Sequence, residues 1–255
     1  MADAIDSAKN PRIKLMRSLA QKKFRDETGL FLAEGDKLLC EALEWGFKTE
    51  FALFEDAECS LARRLKDDGA EVFQASKAAM KAACDTDTPQ GAAAAVRIPA
   101  AGAKPEKGLW VVLDGVQDPG NLGAILRCTD AFGATGALLG PGCADAWSPK
   151  AVRAAMGSSF HIPVVTSGDL TETLFGMKKA GFTVVAAHLA GAPALPEKLG
   201  GSVALLIGNE GRGLSKDVAD TADICYRLPM KGRAESLNAA VAAGVILYEL
   251  SSRMD

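Results

Sequence analysis

The sequence predicts an α/β protein in which a smaller α/β domain precedes a C-terminal, mostly parallel β-sheet. In the second half, short apolar runs alternate with segments of helical spacing. These runs are apolar at nearly every position, which is typical of parallel strands that are covered by helices on both faces. Between the halves, residues 100–108 (AAGAKPEKG) are small, charged and contain Pro and Gly, which indicates a linker. We therefore expect domains at 1–99 and 109–255.

Composition narrows the class of protein further. The 255 residues carry a net charge of -3, with 48% hydrophobic and 24% charged residues, as in ordinary globular proteins. A nucleic-acid partner would therefore have to meet a local basic patch. The six cysteines form no C-x-x-C pair, and we expect buried, reduced thiols, a cytoplasmic location and no metal site. No run reaches the roughly 18 apolar residues of a membrane span, and the N-terminus lacks the apolar core of a signal peptide.

The N-terminal elements follow from periodicity and end signals. Ile13, Met16 and Leu19 fall on one face of a basic helix that we predict from about Asn10 to Lys23. A strand at 29–35 leads into a helix at 36–46, which an Asp begins and a Gly ends. The further strands are predicted at 51–55, 71–74 and 92–98, with helices between them.

The C-terminal elements alternate more regularly. A strand at 109–116 leads into a helix at 122–133, and Ser148-Pro149 has the pattern of an N-cap with a first-turn proline. The remaining predicted strands are 136–140, 163–165, 182–189, 203–208 and 224–229, and the remaining helices are 169–179 and 236–252.

Three Gly-rich segments at strand ends are the candidate site, because ligands of open parallel sheets lie beyond the carboxyl ends of the strands. They cover 121–127, 208–213 and 229–238. The second has the glycine spacing of a Walker A loop but carries Leu214 where the phosphate-binding lysine belongs, which argues against nucleotide hydrolysis. Neither a dinucleotide fingerprint nor a G-x-S-x-G elbow occurs.

These segments also carry a family resemblance. The motifs N-L-G-A-I-L-R, L-L-I-G-N-E-G-R-G-L and L-P-M-x-G-x-x-x-S-L-N-x-x-V-A, in this order, resemble the three signatures of the SpoU-type (TrmH-like) RNA ribose 2′-O-methyltransferases of the SPOUT class. Residues 148–165 resemble the segment between the first two signatures. More loosely, 10–43 and 88–91 resemble the small RNA substrate-binding domain that many members carry.

The resemblance implies a cofactor, a topology and an assembly. S-adenosylmethionine would bind in a C-terminal trefoil knot, a topology too rare to be proposed from pattern alone. Members are homodimers through the last helix, with the active site completed across the interface. The cofactor would lie on backbone groups of Gly208, Leu228 and Leu237, with Asn209 and Met230 nearby.

The resemblance also assigns catalytic candidates, namely Asn121, Arg127, Glu210, Ser236 and Asn238. Arg127 would act on the ribose 2′-hydroxyl. A guanidinium keeps its proton far above neutral pH, so neutralising one near pH 7 costs roughly 9 kcal/mol, which favours an electrostatic role over that of a base.

Each of these residues keeps a plainer alternative. Arg127 could be a surface residue of an amphipathic helix, and Asn121 could simply cap its helix. Glu210 could hold an arginine or a backbone turn. Ser236 and Asn238 could be an N-cap and a helix-start donor.

Basic residues concentrate at the N-terminus, which suggests contact with RNA phosphates. Residues 1–25 contain seven cationic and two anionic side chains, although the chain is acidic overall. We expect ribosomal RNA rather than transfer RNA as the target, because a full N-terminal domain is present. A base methyltransferase and a non-catalytic RNA-binding protein remain alternatives. The RNA-binding candidates are Arg12, Lys14, Lys22, Lys23 and Arg153.

Overall fold

The computed structural model describes residues 4–100 and 105–254, so part of the expected linker, 101–104, lies outside the described residues. The described chain forms two compact units. The first comprises 4–100 and Trp147–Phe160, and the second comprises 105–146 and 161–254. The sequence placed Trp147–Phe160 within the C-terminal domain, whereas by its contacts this segment belongs to the first unit.

The first unit is built on a mixed four-stranded sheet in the order β1-β4-β2-β3. Strand β4 pairs antiparallel with both of its neighbours, and β2 pairs parallel with β3. The strands are Leu30–Glu34 (β1), Thr49–Phe54 (β2), Glu71–Gln74 (β3) and Ala92–Arg97 (β4). The helices are Pro11–Ser18 (α1), Lys22–Thr28 (α2), Asp36–Glu44 (α3), Ser60–Asp67 (α4), Lys77–Ala83 (α5) and, after the second unit has begun, Pro149–Ala155 (α7) and Ser158–His161 (α8).

The returning segment completes one of the two cores of this sheet. Trp147 packs on Phe31 with ring centroids 4.8 Å apart, and Phe160 lies 4.9 Å from Phe47. Ser148 and Pro149 begin α7 as N-cap and first helical residue, as predicted. The segment is therefore held by aromatic burial that its own sequence does not reveal.

The predicted single helix from Asn10 to Lys23 is wrong, because the chain forms α1 and α2 with a turn between them. Arg25 explains the break. Its side chain is buried, and its Nη1 donates to the carbonyl of Leu19 at 2.6 Å, which satisfies a group that the turn exposes. This is a tertiary interaction that helical periodicity cannot encode.

The second unit confirms the predicted parallel sheet. Its six strands run in the order β10-β8-β9-β5-β6-β7, and every pairing is parallel. The strands are Leu109–Asp114 (β5), Gly136–Leu139 (β6), Val164–Thr166 (β7), Thr183–Ala192 (β8), Val203–Gly208 (β9) and Ile224–Tyr226 (β10). The helices are Pro119–Ala131 (α6), Leu170–Lys179 (α9), Lys216–Ala219 (α10) and Ala239–Ser251 (α11).

Strand order brings the candidate segments together. Strands β5 and β9 are adjacent and in register to their last residues, where Asp114 pairs with Gly208. Strand β8 lies on the other side of β9, and β10 lies beside β8. The loops that follow these strands therefore leave from one edge of the sheet.

The cysteines are reduced but less buried than predicted. All six are free, five are only half-buried, and Cys225 is exposed. Within the described ranges, no helix is both long and apolar enough to cross a membrane.

The turn between α1 and α2 gives a first prediction. Arg25→Ala leaves the Leu19 carbonyl without its donor in a buried place, and should lower the free energy of unfolding by about 2–3 kcal/mol. Lys22→Ala is the matched control, because Lys22 makes only an exposed pair with Asp26 and should change stability little. Urea unfolding followed by circular dichroism measures both, and equal midpoints for the two variants would contradict the assignment.

Candidate active site

The three strand-end segments meet at the side chain of Asn121. Its Nδ2 donates to Oε1 of Glu210 at 3.0 Å, and its Oδ1 accepts from Nδ2 of Asn238 at 2.9 Å. One amide thus joins the first turn of α6, the loop after β9 and the start of α11. We call Asn121, Glu210 and Asn238 the amide network.

Helix capping around this network differs from the simplest expectation. Asp118 caps α6, since its Oδ1 accepts from the backbone N–H of Asn121 at 2.8 Å. Asn121 therefore lies inside the first turn and does not cap the helix. Asn238 is the N-cap of α11 and accepts from the N–H groups of Ala240 and Val241.

Glu210 holds a backbone turn. Besides Asn121, it accepts from the N–H groups of Gln117 and Asp118 at 3.3 and 3.2 Å. Burial by itself would raise the pKa of Glu210, but the hydrogen bonds from Asn121 and from backbone N–H groups outweigh it and lower the pKa. A carboxylate held in this form is a poor proton acceptor, and within the described ranges no arginine pairs with it.

The loop after β9 folds back tightly on its own strand. Asn209 and Gly213 exchange backbone hydrogen bonds at 2.9 and 3.0 Å. The Asn209 side chain accepts from the N–H groups of Gly211 and Arg212 and donates to the carbonyl of Gly115 at 2.8 Å. A Cβ at Gly208 would lie 2.3 Å from backbone atoms of Gly213 and Leu214, so only glycine fits there.

A cavity of about 490 Å³ opens beside these loops. It lies wholly within the second unit. Its lining contains all five residues expected around the cofactor, and it contains Glu210 and Ser236 from the catalytic set. Those five are Gly208, Asn209, Leu228, Met230 and Leu237.

Sequence reasoning missed part of the cavity wall. His188 and Leu189, near the end of β8, line it, as do Arg227 after β10 and Ile246 of α11. The β8 residues could have been found, because they lie near the end of another parallel strand, at the same edge of the sheet. Ile246 could not, since it comes from the packing of α11.

Tyr226 forms an uncharged part of the wall. Its hydroxyl donates to Oε2 of Glu249 at 2.6 Å. Burial and the neighbouring Glu249 raise the pKa of Tyr226 to about 12, so the phenol stays protonated. Apolar side chains, backbone groups and a few polar tips thus surround a space of the size that small ligands occupy.

Arg127 lies elsewhere. It is on the exposed side of α6 and is absent from the lining of the cavity. It adjoins an apolar groove between α6 and α11, since Ala124 and Cys128 line that groove. Val241 and Tyr248 of α11, which are 52% and 63% exposed, form the opposite wall.

The RNA-binding candidates lie in the first unit, and four of the five are already in ion pairs. Arg12 lies 2.6 Å from Glu71, Lys22 lies 2.8 Å from Asp26, and Lys23 lies 3.9 Å from Glu27. Arg153 lies 2.8 Å from Asp85 and 3.7 Å from Glu34. Lys14 is exposed and unpaired among the described residues.

Family models match both parts of the chain. The model of the SpoU rRNA methylase family matches residues 108–248, which contain the amide network and the cavity. The chain belongs to this family. The model of the MRM3-like substrate binding domain matches residues 10–94. The resemblance stated from the motifs is therefore confirmed.

Individual relatives agree over nearly the whole chain. The chain is 38% identical to the 23S rRNA (guanosine(2553)-2'-O)-methyltransferase RlmP of Bacillus subtilis, over 96% of this chain and 98% of that protein. The AdoMet-bound rRNA methyltransferase of Sinorhizobium meliloti is 36% identical, with a TM-score of 0.88 and 97% of each chain covered. The SpoU methyltransferase AviRb of Streptomyces viridochromogenes is 30% identical, with a TM-score of 0.81 and 95% and 96% covered.

The depressed pKa of Glu210 gives a second prediction. Its ionised form is stabilised in the folded state, so this contribution is complete above the ordinary value of 4.5 and is lost as the pH falls through the folded pKa. Wild type should therefore be more stable than Glu210→Gln at pH 7, and the advantage should shrink below pH 4.5. Thermal midpoints of both proteins between pH 7 and pH 4 measure this, with exposed Glu235→Gln as the control. An advantage that grows in acid would contradict it.

Proposed function

We propose that this protein transfers the methyl group of S-adenosylmethionine to a ribose 2′-hydroxyl of ribosomal RNA. The observation that carries the proposal is the cavity at the strand ends, whose lining unites the second and third family signatures, while Asn121 ties in the first. Relatives that match the whole chain carry this activity and this cofactor in their descriptions.

The cavity fits the cofactor by size and by chemistry. About 490 Å³ accommodates a nucleoside with an amino-acid tail. Leu228, Met230 and Leu237 offer apolar surface for an adenine ring, and Gly208, which has only backbone atoms, also lines the cavity. S-adenosylmethionine supplies the sulfonium methyl group when it is bound. The trefoil knot around this site remains an expectation from the family.

In this proposal the amide network positions the reacting partners. Asn121 and Asn238 fix the start of α6 against the start of α11, and Glu210 fixes the turn before α6. Ser236 lines the cavity and would hydrogen-bond the ribose. Such preorganisation removes orientational freedom before the methyl transfer.

Arg127 would stabilise negative charge on the 2′-oxygen or hold the adjacent phosphate. A guanidinium suits both tasks because its planar donors can grip two oxygens at once. Since Arg127 lies beside the groove and away from the cavity of its own chain, we propose that it serves the cavity of a second copy.

The groove between α6 and α11 is the proposed dimer contact. Its volume is about 480 Å³, and its wall is almost wholly apolar. Gly244 lets α11 lie close to α6 of the same chain at the floor of this groove, because a Cβ there would lie 3.0 Å from Sγ of Cys128. Exposed Val241 and Tyr248 would be covered by the same face of the partner in a twofold arrangement.

We also propose that the N-terminal domain, 1–99, binds the RNA and that 109–255 carries the methyl transfer, with 100–108 as the linker. The free cysteines favour the reducing cytoplasm as the place of action.

The third prediction tests the activity. Purified protein with tritiated S-adenosylmethionine and deproteinised 23S rRNA should place label in alkali-resistant dinucleotides, which a 2′-O-methyl group produces. Gly208→Ala should weaken cofactor binding by about tenfold or more, roughly 1.4 kcal/mol, because its Cβ displaces the β9 loop. Gly200→Ala is the matched control, since nothing lies within 4 Å of that Cβ.

Two outcomes would contradict the proposal. If alkali released the label in mononucleotides, the methyl group would be on a base. Cofactor binding without transfer to any RNA would indicate a non-catalytic protein. Transfer to tRNA in preference to rRNA would keep the chemistry and change the target.

The fourth prediction concerns assembly. Wild type should be a dimer in light scattering at micromolar concentration, and Tyr248→Glu should shift it toward monomer because it places a charge in the apolar contact. Phe175→Glu is the control: Phe175 is 53% exposed on α9, outside the groove, and its replacement should leave the mass unchanged. A monomeric wild type would refute the dimer.

A further inference from the structure

Lys14 and Arg17 differ from three of the other cations of the N-terminal segment, and unlike Lys9 they line a cleft. Arg12, Lys22 and Lys23 each have a carboxylate partner. Within 4–100 and 105–254, Lys14 and Arg17 form no ion pair, and both are exposed. Their charges are therefore not neutralised by the protein.

Both side chains face one cleft. They are three residues apart on α1, which puts them on neighbouring positions of one helix face. They line a cleft of about 440 Å³ together with polar Ser18 and Gln21. Leu32, which is 2% exposed, lies at its base.

The other ionisable groups of the cleft do not cancel this charge. Burial, with the nearby carboxylates of Glu34 and Asp85, raises the pKa of the Cys84 thiol to about 12, so the thiol is neutral. Asp85 also lines the cleft, but its Oδ2 accepts from Nη2 of Arg153 at 2.8 Å. The single positive charge of Arg153 is shared by Asp85 and Glu34, and it leaves one net negative charge against the two positive charges of Lys14 and Arg17.

Arg153 is in turn fixed by the first unit. Its Nη1 is buried and lies 3.7 Å from Oε1 of Glu34. Oε1 and Oε2 of Glu34 also accept from the N–H of Asp85 and the hydroxyl of Thr86. Arg153 is therefore held in place, and the cleft keeps an excess of positive charge on the Lys14 and Arg17 side.

We propose that this cleft binds the phosphodiester backbone of the RNA substrate, with Lys14 and Arg17 as the phosphate contacts. Arg153 is a positioning residue that holds Asp85 and offsets part of its charge. The inference rests on the proposed function and revises the RNA contacts that the sequence predicted. Arg12, Lys22 and Lys23 are left out, because a carboxylate beside each of them repels an approaching phosphate.

The test compares two double variants of the full chain. Filter binding of labelled, deproteinised 23S rRNA is measured over a series of salt concentrations for Lys14→Gln/Arg17→Gln and for Lys22→Gln/Lys23→Gln. The first should bind about tenfold more weakly, with a salt slope lower by about 1 per removed contact. The second should stay within about twofold of wild type.

Cofactor binding and a charge-retaining variant complete the test. Affinity for S-adenosylmethionine should be unchanged in both double variants, and Lys14→Arg/Arg17→Lys should restore RNA binding. Equal losses in the two Gln variants, or a wild-type salt slope in the first, would overturn the inference while leaving the methyl transfer of wild type intact. Failure of wild type itself to bind and methylate rRNA would instead overturn the proposed function.

Discussion

The hydrogen bonds on the two ends of the Asn121 amide are the constraint on which the site depends. The nitrogen end donates to a carboxylate, and the oxygen end accepts from a second amide. Only a carboxamide offers both functions at this reach, since a carboxylate would repel Glu210 and an aliphatic residue would leave Asn238 without a partner. Through Asn121, the orientation of α6 is coupled to the loop after β9 and to the start of α11, and hence to the walls of the cavity.

The parallel sheet supplies the frame for this coupling, and the sequence was sufficient to predict it. Fully apolar strands such as Val203–Gly208 indicate burial on both faces of the sheet, and glycines at their ends indicate close approach of another backbone segment. What periodicity could not give was the partner of each polar group. Asn121 had a helix cap as its plainer alternative. In the fold Asp118 caps α6, and the Asn121 side chain bonds Glu210 and Asn238 instead.

Long-range burial accounts for the other differences between prediction and structure. The turn at Leu19 depends on Arg25, whose charged group finds its acceptor six residues away, outside any helical pattern. Trp147 and Phe160 belong to the first unit because they pack on Phe31 and Phe47 there. The local sequence around them does not differ from the rest of the C-terminal half. The count of cations suggested a uniformly basic N-terminus. In the structure Arg12 and Lys22 lie beside carboxylates, whereas Lys14 and Arg17, which line the cleft, form no ion pair among the described residues.

The position of Arg127 follows from how the other faces of α6 are used. One face of α6 packs on the core through Leu122, Ile125 and Leu126. In its first turn, Asn121 bonds the amide network. The groove side of α6 is apolar, so a charged residue can sit only at its edge, where Arg127 lies. In the proposed dimer, the groove is covered by the same face of a second copy, and an arginine at its rim then lies toward that copy. In our proposal the burial that drives association also delivers the cation, which makes methyl transfer a property of the pair of chains.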